Sequence, residues 1–251
     1  MSGINVIGIL WWRQMLRYGR SRARILATLA QPLLFLVSFG FGFGPVFAQA
    51  GRGNYLQYLA PGVIGMGVLF SAVFSGIELI WDRQFGFIKE TLVAPVPRYQ
   101  VMLGRTLGGA NVAMLQGLAV ALLCIVAGFR AGDLLGWLLA LLFMALIAVT
   151  FTAVGTMIAS VVGDFQAFPL VMNFLVMPLF FLSGALFPLQ GLATGMHWVT
   201  RFNPLSYGMD GLRGALTGSW QFGFATDVGV LLVLAVVAVI GATLTFSKIE
   251  A

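Results

Sequence analysis

Six apolar runs dominate this sequence, and each is long enough to cross a lipid bilayer as a helix. About 20 consecutive apolar residues span the roughly 30 Å hydrocarbon core. Charged residues make up only 9% of the 251 residues, against about 25% in soluble domains, whose surfaces must be solvated. The sequence therefore predicts an all-α integral membrane protein, a single transmembrane domain over 1–251. Its six transmembrane helices are expected at 25–47, 59–81, 105–128, 134–162, 168–188 and 226–246.

The distribution of Lys and Arg predicts the orientation of these helices. Ten of the fourteen basic residues lie in the N-terminal arm, in the 82–105 loop and in the C-terminal tail, which six spans place on one side. Because Lys and Arg are enriched in cytoplasmic loops, we expect both termini in the cytoplasm.

The segment 4–24 precedes the first span and is predicted to be an amphipathic helix in the cytoplasmic interface. Apolar side chains would lie among the headgroups and guanidinium groups in water. Such a helix could simply anchor the chain or could also hold a partner, and the pattern leaves both open. At 100° per residue the apolar face contains Ile4, Ile7, Trp11, Met15 and Tyr18, and the basic face contains Arg13, Arg17, Arg20 and Arg24.

The segment 82–98, here called the coupling segment, lies between the second and third spans. Asp82 is expected to cap its N-terminus, and Pro95 and Pro97 are expected to end it, because proline cannot continue a helix. This predicts a stiff helix of about three turns. Phe85, Ile88 and Leu92 would pack on the spans, and Arg83, Phe87 and Glu90 would point away from them.

The segment 189–225 is semi-apolar and too interrupted to cross the membrane twice. Gly, Pro and Asn divide it into two short amphipathic pieces near 192–201 and 204–216. Broken helices at membrane depth are tolerated only against protein or a wet cavity. We therefore expect a pair of re-entrant half-helices on the outer side.

A few isolated residues inside the spans also suggest interactions. Glu78 is an acidic side chain within a turn of the end of the second predicted span, and a charge near membrane depth is costly and often functional. It is expected to pair with Arg83 or with another interface arginine, with substrate contact as the alternative. The glycine pairs Gly40/Gly44 and Gly104/Gly108 fit close helix packing.

Three motifs occur in the same order as in a known family. They are R-x-x-G-x-x-x-E-T-L-x-x-P-V-x-R at 83–98, S-G-A-L-F-P-L at 183–189 and N-P-L-S-Y-G-M-D-G-L-R-G-A-L at 203–216. The chain resembles ABC transporter type-2 permeases, the membrane subunits of drug, lipid and polysaccharide exporters, including daunorubicin-resistance and nodulation-export proteins. The resemblance covers nearly the whole chain and includes the order of its elements.

This resemblance implies a mechanism in which two permease copies, a homodimer or a pair of similar chains, enclose the pathway. Two copies of a separate ABC ATPase subunit would dock on the coupling segments from the cytoplasm of a bacterial or archaeal inner membrane. They would bind ATP and Mg, so no cofactor or metal is expected in this chain. The ATPase-coupling residues would be Arg83, Gly86, Phe87, Glu90 and Thr91; the alternative is that such charges only solvate the helix.

In the family, spans two and five line the seam between permeases, which would make the aromatic fifth span a wall for an amphiphilic substrate. Plain packing explains the same residues equally well. The candidate substrate path consists of Phe174, Met177, Phe180 and Phe181, and the candidate outer gate of Phe187, Pro188, Asn203, Pro204 and Tyr207.

No catalytic motif accompanies these features. The phosphate-binding G-x-x-x-x-G-K-[ST], the G-x-S-x-G and the H-E-x-x-H patterns are absent, and the chain has one histidine. We expect no enzyme activity and no nucleic-acid partner, only a lipid bilayer and protein subunits. The leading hypothesis is an ATP-driven exporter of a drug, lipid or lipid-linked glycan. An ion-coupled secondary transporter or channel is the alternative, and a lipid-modifying enzyme a weaker third possibility.

Overall fold

The computed structural model describes residues 3–49, 54–87, 96–130, 132–188 and 194–248, and these contain α-helices and no strand. The all-helical class is therefore confirmed for the described residues. In chain order the helices are α1 Gly3–Arg20, α2 Arg22–Gln49, α3 Tyr55–Phe74, α4 Ile77–Gln84, α5 Arg98–Val126, α6 Leu134–Val162, α7 Ala167–Phe181, α8 Thr194–Phe202, α9 Pro204–Thr217 and α10 Phe224–Ser247.

Five helical stretches in the described residues are long and apolar enough to cross a membrane. They are α2, α3 with α4, α5, α6 and α10. The predicted fifth span at 168–188 is instead the 15-residue helix α7, which is shorter than the roughly 20 residues that a crossing needs. The chain turns after Phe181, and Gly184 has a φ of 78°, a left-handed conformation that glycine adopts without strain. The count of six full-length spans is therefore not confirmed.

Helix α3 is the centre of the bundle, packed by α2, α5, α6, α7 and α9. Glycines on α3 let its neighbours approach closely, as is common where lipid supplies no hydrophobic force between helices. A Cβ on Gly65 would lie 2.5 Å from the sulfur of Met209, and one on Gly67 would lie 2.8 Å from a methyl of Val120. The second predicted span is thus mostly enclosed by its own chain.

Helices α3 and α4 meet α6 at backbone contact. The chain bends at Ser75 and Gly76 between α3 and α4. A Cβ on Gly155 of α6 would overlap the carbonyl of Val73, and a Cβ on Gly76 would overlap the carbonyl of Gly155. Helix α6 can pack this closely against the bend between α3 and α4 only because Gly155 and Gly76 have no side chains.

Helix α1 packs along the first half of α5, against two glycines of that helix. A Cβ on Gly104 would lie 3.0 Å from Leu10, and one on Gly108 would lie 2.7 Å from Gln14. The prediction of close packing at Gly104/Gly108 is confirmed. The corresponding prediction for Gly40/Gly44 is not confirmed: a Cβ on Gly40 would lie 3.9 Å from Leu56, and one on Gly44 would meet nothing within 4 Å.

Two short helices, α8 and α9, lie where the two amphipathic pieces near 192–201 and 204–216 were predicted. Asn203 separates them and caps α9, its side chain accepting a hydrogen bond from the Leu205 N–H. Helix α9 is buried and lies along α6, with Gly208 beside Ile147 and Gly211 beside Phe143. Because Phe143 precedes Ile147, α9 runs antiparallel to α6 and returns towards the end at which α6 begins.

Candidate functional site

Five charged side chains meet at one end of the bundle, next to the start of the coupling segment. This ion cluster consists of Arg13 and Arg17 on α1, Glu78 and Asp82 on α4, and Arg105 on α5. Arg13 donates to both carboxylate oxygens of Asp82, at 2.9 and 2.8 Å. Arg105 lies 2.8 Å and Arg17 3.3 Å from the same carboxylate. Asp82 therefore joins three helices.

The cluster follows from matching spacings on two helices. Residues four apart on a helix lie on the same face, so Glu78 and Asp82 form one acidic edge of α4, and Arg13 and Arg17 form one basic edge of α1. Arg17 also reaches Glu78, at 3.5 Å. Arg13 and Arg17 thus face α4 as well as water, which corrects the expectation that the basic edge of α1 lies only in solvent.

The ion pairs of the cluster matter for stability because Asp82 and Arg105 are buried. Only 5% of Asp82 is exposed, and 10% of the Arg105 side chain. A buried charge is stable only with a partner, because its lost hydration must be replaced. The three arginines exceed the two carboxylates by one positive charge, so removal of Asp82 would leave the guanidinium groups facing one another.

The coupling segment begins differently from the prediction. Asp82 lies within α4 and makes ion pairs, so its predicted role as an N-terminal cap is wrong. Helix α4 ends at Gln84, and Gly86 turns the chain with a φ of 77°. The predicted helix over 82–98 does not run unbroken from Asp82, because the chain bends at Gly86. Most of the segment, 88–95, lies outside the described residues, and Arg98 begins α5 after the extended Pro97.

The predicted coupling residues are partly described. Gly86 forms the turn, and Arg83 and Phe87 are exposed, as expected for side chains that point away from the spans. The guanidinium carbon of Arg13 lies 4.2 Å from the centre of the Phe87 ring, which attaches the segment to the ion cluster through a cation–π contact. Glu90 and Thr91 lie outside the described residues, with the rest of 88–95.

Two further predictions at this end have definite outcomes. Glu78 pairs with Arg17, which confirms that an interface arginine is its partner. Phe85 was expected to pack on the spans, but it is 75% exposed and contacts Trp81, so that expectation is wrong. Trp81, Phe85 and Phe165 instead line a groove of about 630 Å³ beside the ion cluster.

The candidate substrate path divides into exposed and buried residues on α7. Phe174 is 85% and Phe181 45% exposed, whereas Met177 is half-buried. Phe180 is fully buried and packs edge-on against Phe35 of α2 and Phe70 of α3. Phe180 therefore lies in the chain's own core and not on the exposed face of α7, because a helix turns it away from that face.

The candidate outer gate consists of two groups that pack on different elements. Phe187 lies edge-on against Phe39 and Phe43 of α2, and Pro188 follows it. In the elbow before α9, the Asn203 amide donates to the Leu179 carbonyl at 2.7 Å, Pro204 opens the helix, and the Tyr207 hydroxyl donates to the Arg201 carbonyl at 2.8 Å.

An arginine that the sequence did not single out joins two of the motifs. Arg213 of the third motif is buried and donates to the Gly184 carbonyl of the second motif at 2.8 Å. Its guanidinium lies 4.0 Å from the centre of the Tyr58 ring, and the Tyr58 hydroxyl donates to the same carbonyl. The occurrence of both motifs in one chain is the sequence signal that could have suggested their contact.

Replacing Arg213 with methionine is expected to lower the free energy of unfolding by about 1.5–3 kcal/mol, the usual contribution of a hydrogen bond to a charged group. The Gly184 carbonyl would lose one of its two donors and keep only the Tyr58 hydroxyl. Thermal unfolding in detergent would measure the loss, with the exposed Arg201→Met as the matched control. Equal unfolding temperatures for the two variants would contradict this role.

Comparisons with known proteins agree with this architecture. The model of the ABC-2 type transporter family matches residues 5–217. Nodulation protein J of Rhizobium leguminosarum bv. viciae is 25% identical, over 94% of this chain and 91% of its own. The putative transport permease ycf38 of Cyanophora paradoxa is 25% identical, over 98% and 89%.

The inner membrane transport permease YadH of Escherichia coli strain K12 is 27% identical, over 90% of this chain and 89% of its own. The family model covers most of the chain, and these relatives align over nearly their full lengths. Two of these three relatives are described as transport permeases, which fits a bundle with five span-length apolar helices. The chain therefore belongs to the ABC-2 type transporter family, as a membrane transport subunit.

Proposed function

We propose that this protein is the transmembrane subunit of an ATP-driven exporter, powered by two copies of a separate ABC ATPase. It would act as a homodimer or with a similar permease in a bacterial or archaeal inner membrane. The observation that carries the proposal is the attachment of the coupling segment to the ion cluster. A docked ATPase would contact the segment around Arg83–Phe87, and the cluster ties that segment to three helices.

The contacts of the ion cluster suggest how movement would be transmitted. A displacement of Phe87 would act on Arg13 through the cation–π contact, and Arg13 shares the Asp82 carboxylate with Arg105. Helix α4 follows α3 after the bend at Gly76, so the same displacement would reach the central helix. Helices α1, α4 and α5 would thus move as one unit, while ATP and Mg bind in the partner.

The substrate proposed is a hydrophobic or amphiphilic molecule such as a drug, lipid or lipid-linked glycan. The exposed face of α7 carries Leu170, Phe174 and Phe181, side chains that favour contact with apolar material over water. Helices α8 and α9 would form the outer re-entrant region that closes the far end of the pathway. An exposed apolar face of this kind also suits contact with a second permease.

The orientation proposed places both termini in the cytoplasm. Arg98, at the start of α5, donates to the carbonyl of Ser247 at the end of α10, and α1 packs on Gly104 and Gly108 of the same helix. The first and last helices therefore reach the same end of the bundle, the end that holds the ion cluster. This supports a cytoplasmic position for the cluster and the coupling segment.

Replacing Glu90 with lysine is expected to weaken binding of the ATPase at least about tenfold, or about 1.4 kcal/mol, by reversing a charge on the docking surface. Co-purification and ATP-dependent transport in vesicles would measure this. Arg201→Glu, a charge reversal at the α8–α9 elbow, is the matched control, and both variants should unfold at the wild-type temperature.

Normal transport by Glu90→Lys would show that this coupling surface is assigned wrongly. Transport that continues without ATP, and stops when the proton gradient is collapsed, would overturn the exporter proposal itself in favour of an ion-coupled carrier.

A further inference from the structure

Two carboxyl groups meet at the end of the bundle opposite the ion cluster, where α9 and α10 join. Asp227 lies in the first turn of α10 and is 0% exposed, and Asp210 of α9 is 4% exposed. Asp210 accepts from the N–H groups of Gln221 and Phe222, and the Asp227 N–H donates to the carbonyl of Gly223, so both residues bind the same short loop. Two ionised carboxylates cannot hydrogen-bond, because both are acceptors only. A contact between them requires a proton on one of the two.

The partners of Asp210 indicate that it is the ionised member of the pair. Its two oxygens accept from the Gln221 N–H at 2.9 Å, and one of them also accepts from the Phe222 N–H at 2.8 Å. Backbone donors of this kind favour the charged form of a carboxyl group. The Oδ1 atom, with one N–H donor, retains a lone pair for a further donor.

Asp227 has the opposite environment. Among the described residues no donor reaches either of its oxygens, and a buried carboxylate without donors or a counter-ion is strongly unfavourable. A neutral carboxylic acid in the same place needs only an acceptor for its O–H, and the Asp210 carboxylate supplies one.

The other ionisable groups on the elements packed against α10 are engaged elsewhere. Arg213 of α9 donates to Gly184, and the Asp133 carboxylate caps α6 by accepting from the Gly136 N–H. Helix α5 contacts α10 at the cluster end, through Met102 and Thr243. Tyr55 and Tyr58 of α3 donate to the turn after α7.

We propose that Asp227 holds a proton and donates it in a hydrogen bond to the Asp210 carboxylate, which makes the pair a protonation-dependent latch between α10 and α9. Removal of the proton leaves two negative charges in a buried contact. The first turn of α10 then separates from α9 and from the 218–223 loop that Asp210 holds. This latch is independent of the proposed ATPase partner and of the substrate.

The test uses the complete protein in detergent and compares Asp227→Asn with the wild type. Asparagine keeps the shape of the protonated acid and donates an N–H to Asp210, so its unfolding temperature near pH 6 should match the wild type. Raising the pH to about 9 should lower the wild-type Tm by at least about 2–4 °C more than that of Asp227→Asn. The exposed Asp133→Asn is the matched control and should keep the wild-type pH dependence.

Infrared spectroscopy supplies an independent reading, because a protonated carboxyl has a C=O band that an ionised one lacks. That band should be present near neutral pH in the wild type and absent in Asp227→Asn. Identical pH profiles for the two proteins, or absence of the band from the wild type, would overturn the proposal. Stabilisation of the wild type but not of Asp227→Asn by added Na⁺ or Ca²⁺ would overturn it too, since a metal cation would then occupy the pair.

Discussion

Replacing Asp82 with alanine is expected to lower the free energy of unfolding by about 3–5 kcal/mol, the usual loss when one partner of a buried ion pair is removed. The Arg105 side chain, only 10% exposed, would lose its carboxylate, and Arg13 and Arg17 would add like charge nearby. The ends of α1, α4 and α5 that meet at the ion cluster would separate. Thermal unfolding in detergent would show the loss directly.

The design of this experiment depends on a matched acid and on a double substitution. Asp164→Ala removes an exposed carboxylate that accepts one backbone N–H from Gln166, and its loss should be clearly smaller. Asp82→Asn combined with Arg105→Met should recover part of the stability, because it removes the buried charge together with its partner. If Asp82→Ala and Asp164→Ala unfold at the same temperature, the ion cluster does not hold the three helices together.

Replacing Gly155 with alanine is expected to destabilise the protein by about 3 kcal/mol, the upper part of the range for overpacking. The added methyl would overlap the Val73 carbonyl, which is backbone and cannot rotate away. Helix α6 would have to move from the bend between α3 and α4, close to the ion cluster. Thermal unfolding and the yield of folded protein in detergent would both fall.

Gly229→Ala is the matched control for this substitution. Gly229 also lies inside a long apolar helix, but a Cβ there would meet nothing within 4 Å. Alanine is a better helix former than glycine by up to about 1 kcal/mol, so this variant should be as stable as the wild type or more stable. Equal losses at the two positions would mean that helix propensity, and not the contact with Val73, determines the effect.

Much of the architecture was accessible from local sequence patterns. Apolar runs predict most of the spans because the bilayer excludes charge along a whole helix. The interruptions by Gly, Pro and Asn predict the break between α8 and α9, where Asn203 caps α9 and Pro204 lies in its first turn. The close approach at Gly104 and Gly108 could be predicted because two small residues one turn apart favour close helix packing.

The predictions that failed concern contacts between elements that are far apart in the sequence. The 168–188 run is apolar throughout, yet α7 ends at Phe181, where Tyr55, Tyr58 and Arg213 bind the carbonyls of the following turn. The hydropathy of a segment does not predict hydrogen bonds from residues elsewhere in the chain. Likewise Asp82 suits an N-terminal cap by its residue type, but its role follows from arginines 69 and 23 positions away along the chain.

The sequence by itself determined that this is a membrane protein, that it is helical and where most of its helices lie. Each of these properties depends on residues within a few turns of one another. The tertiary structure alone decided which helix lies at the centre, which phenylalanines remain exposed, which charges meet at Asp82 and that Asp227 is buried with no donor among the described residues. Those outcomes depend on packing between residues far apart in the chain, and a charge in a low-dielectric interior is governed by its neighbours in space.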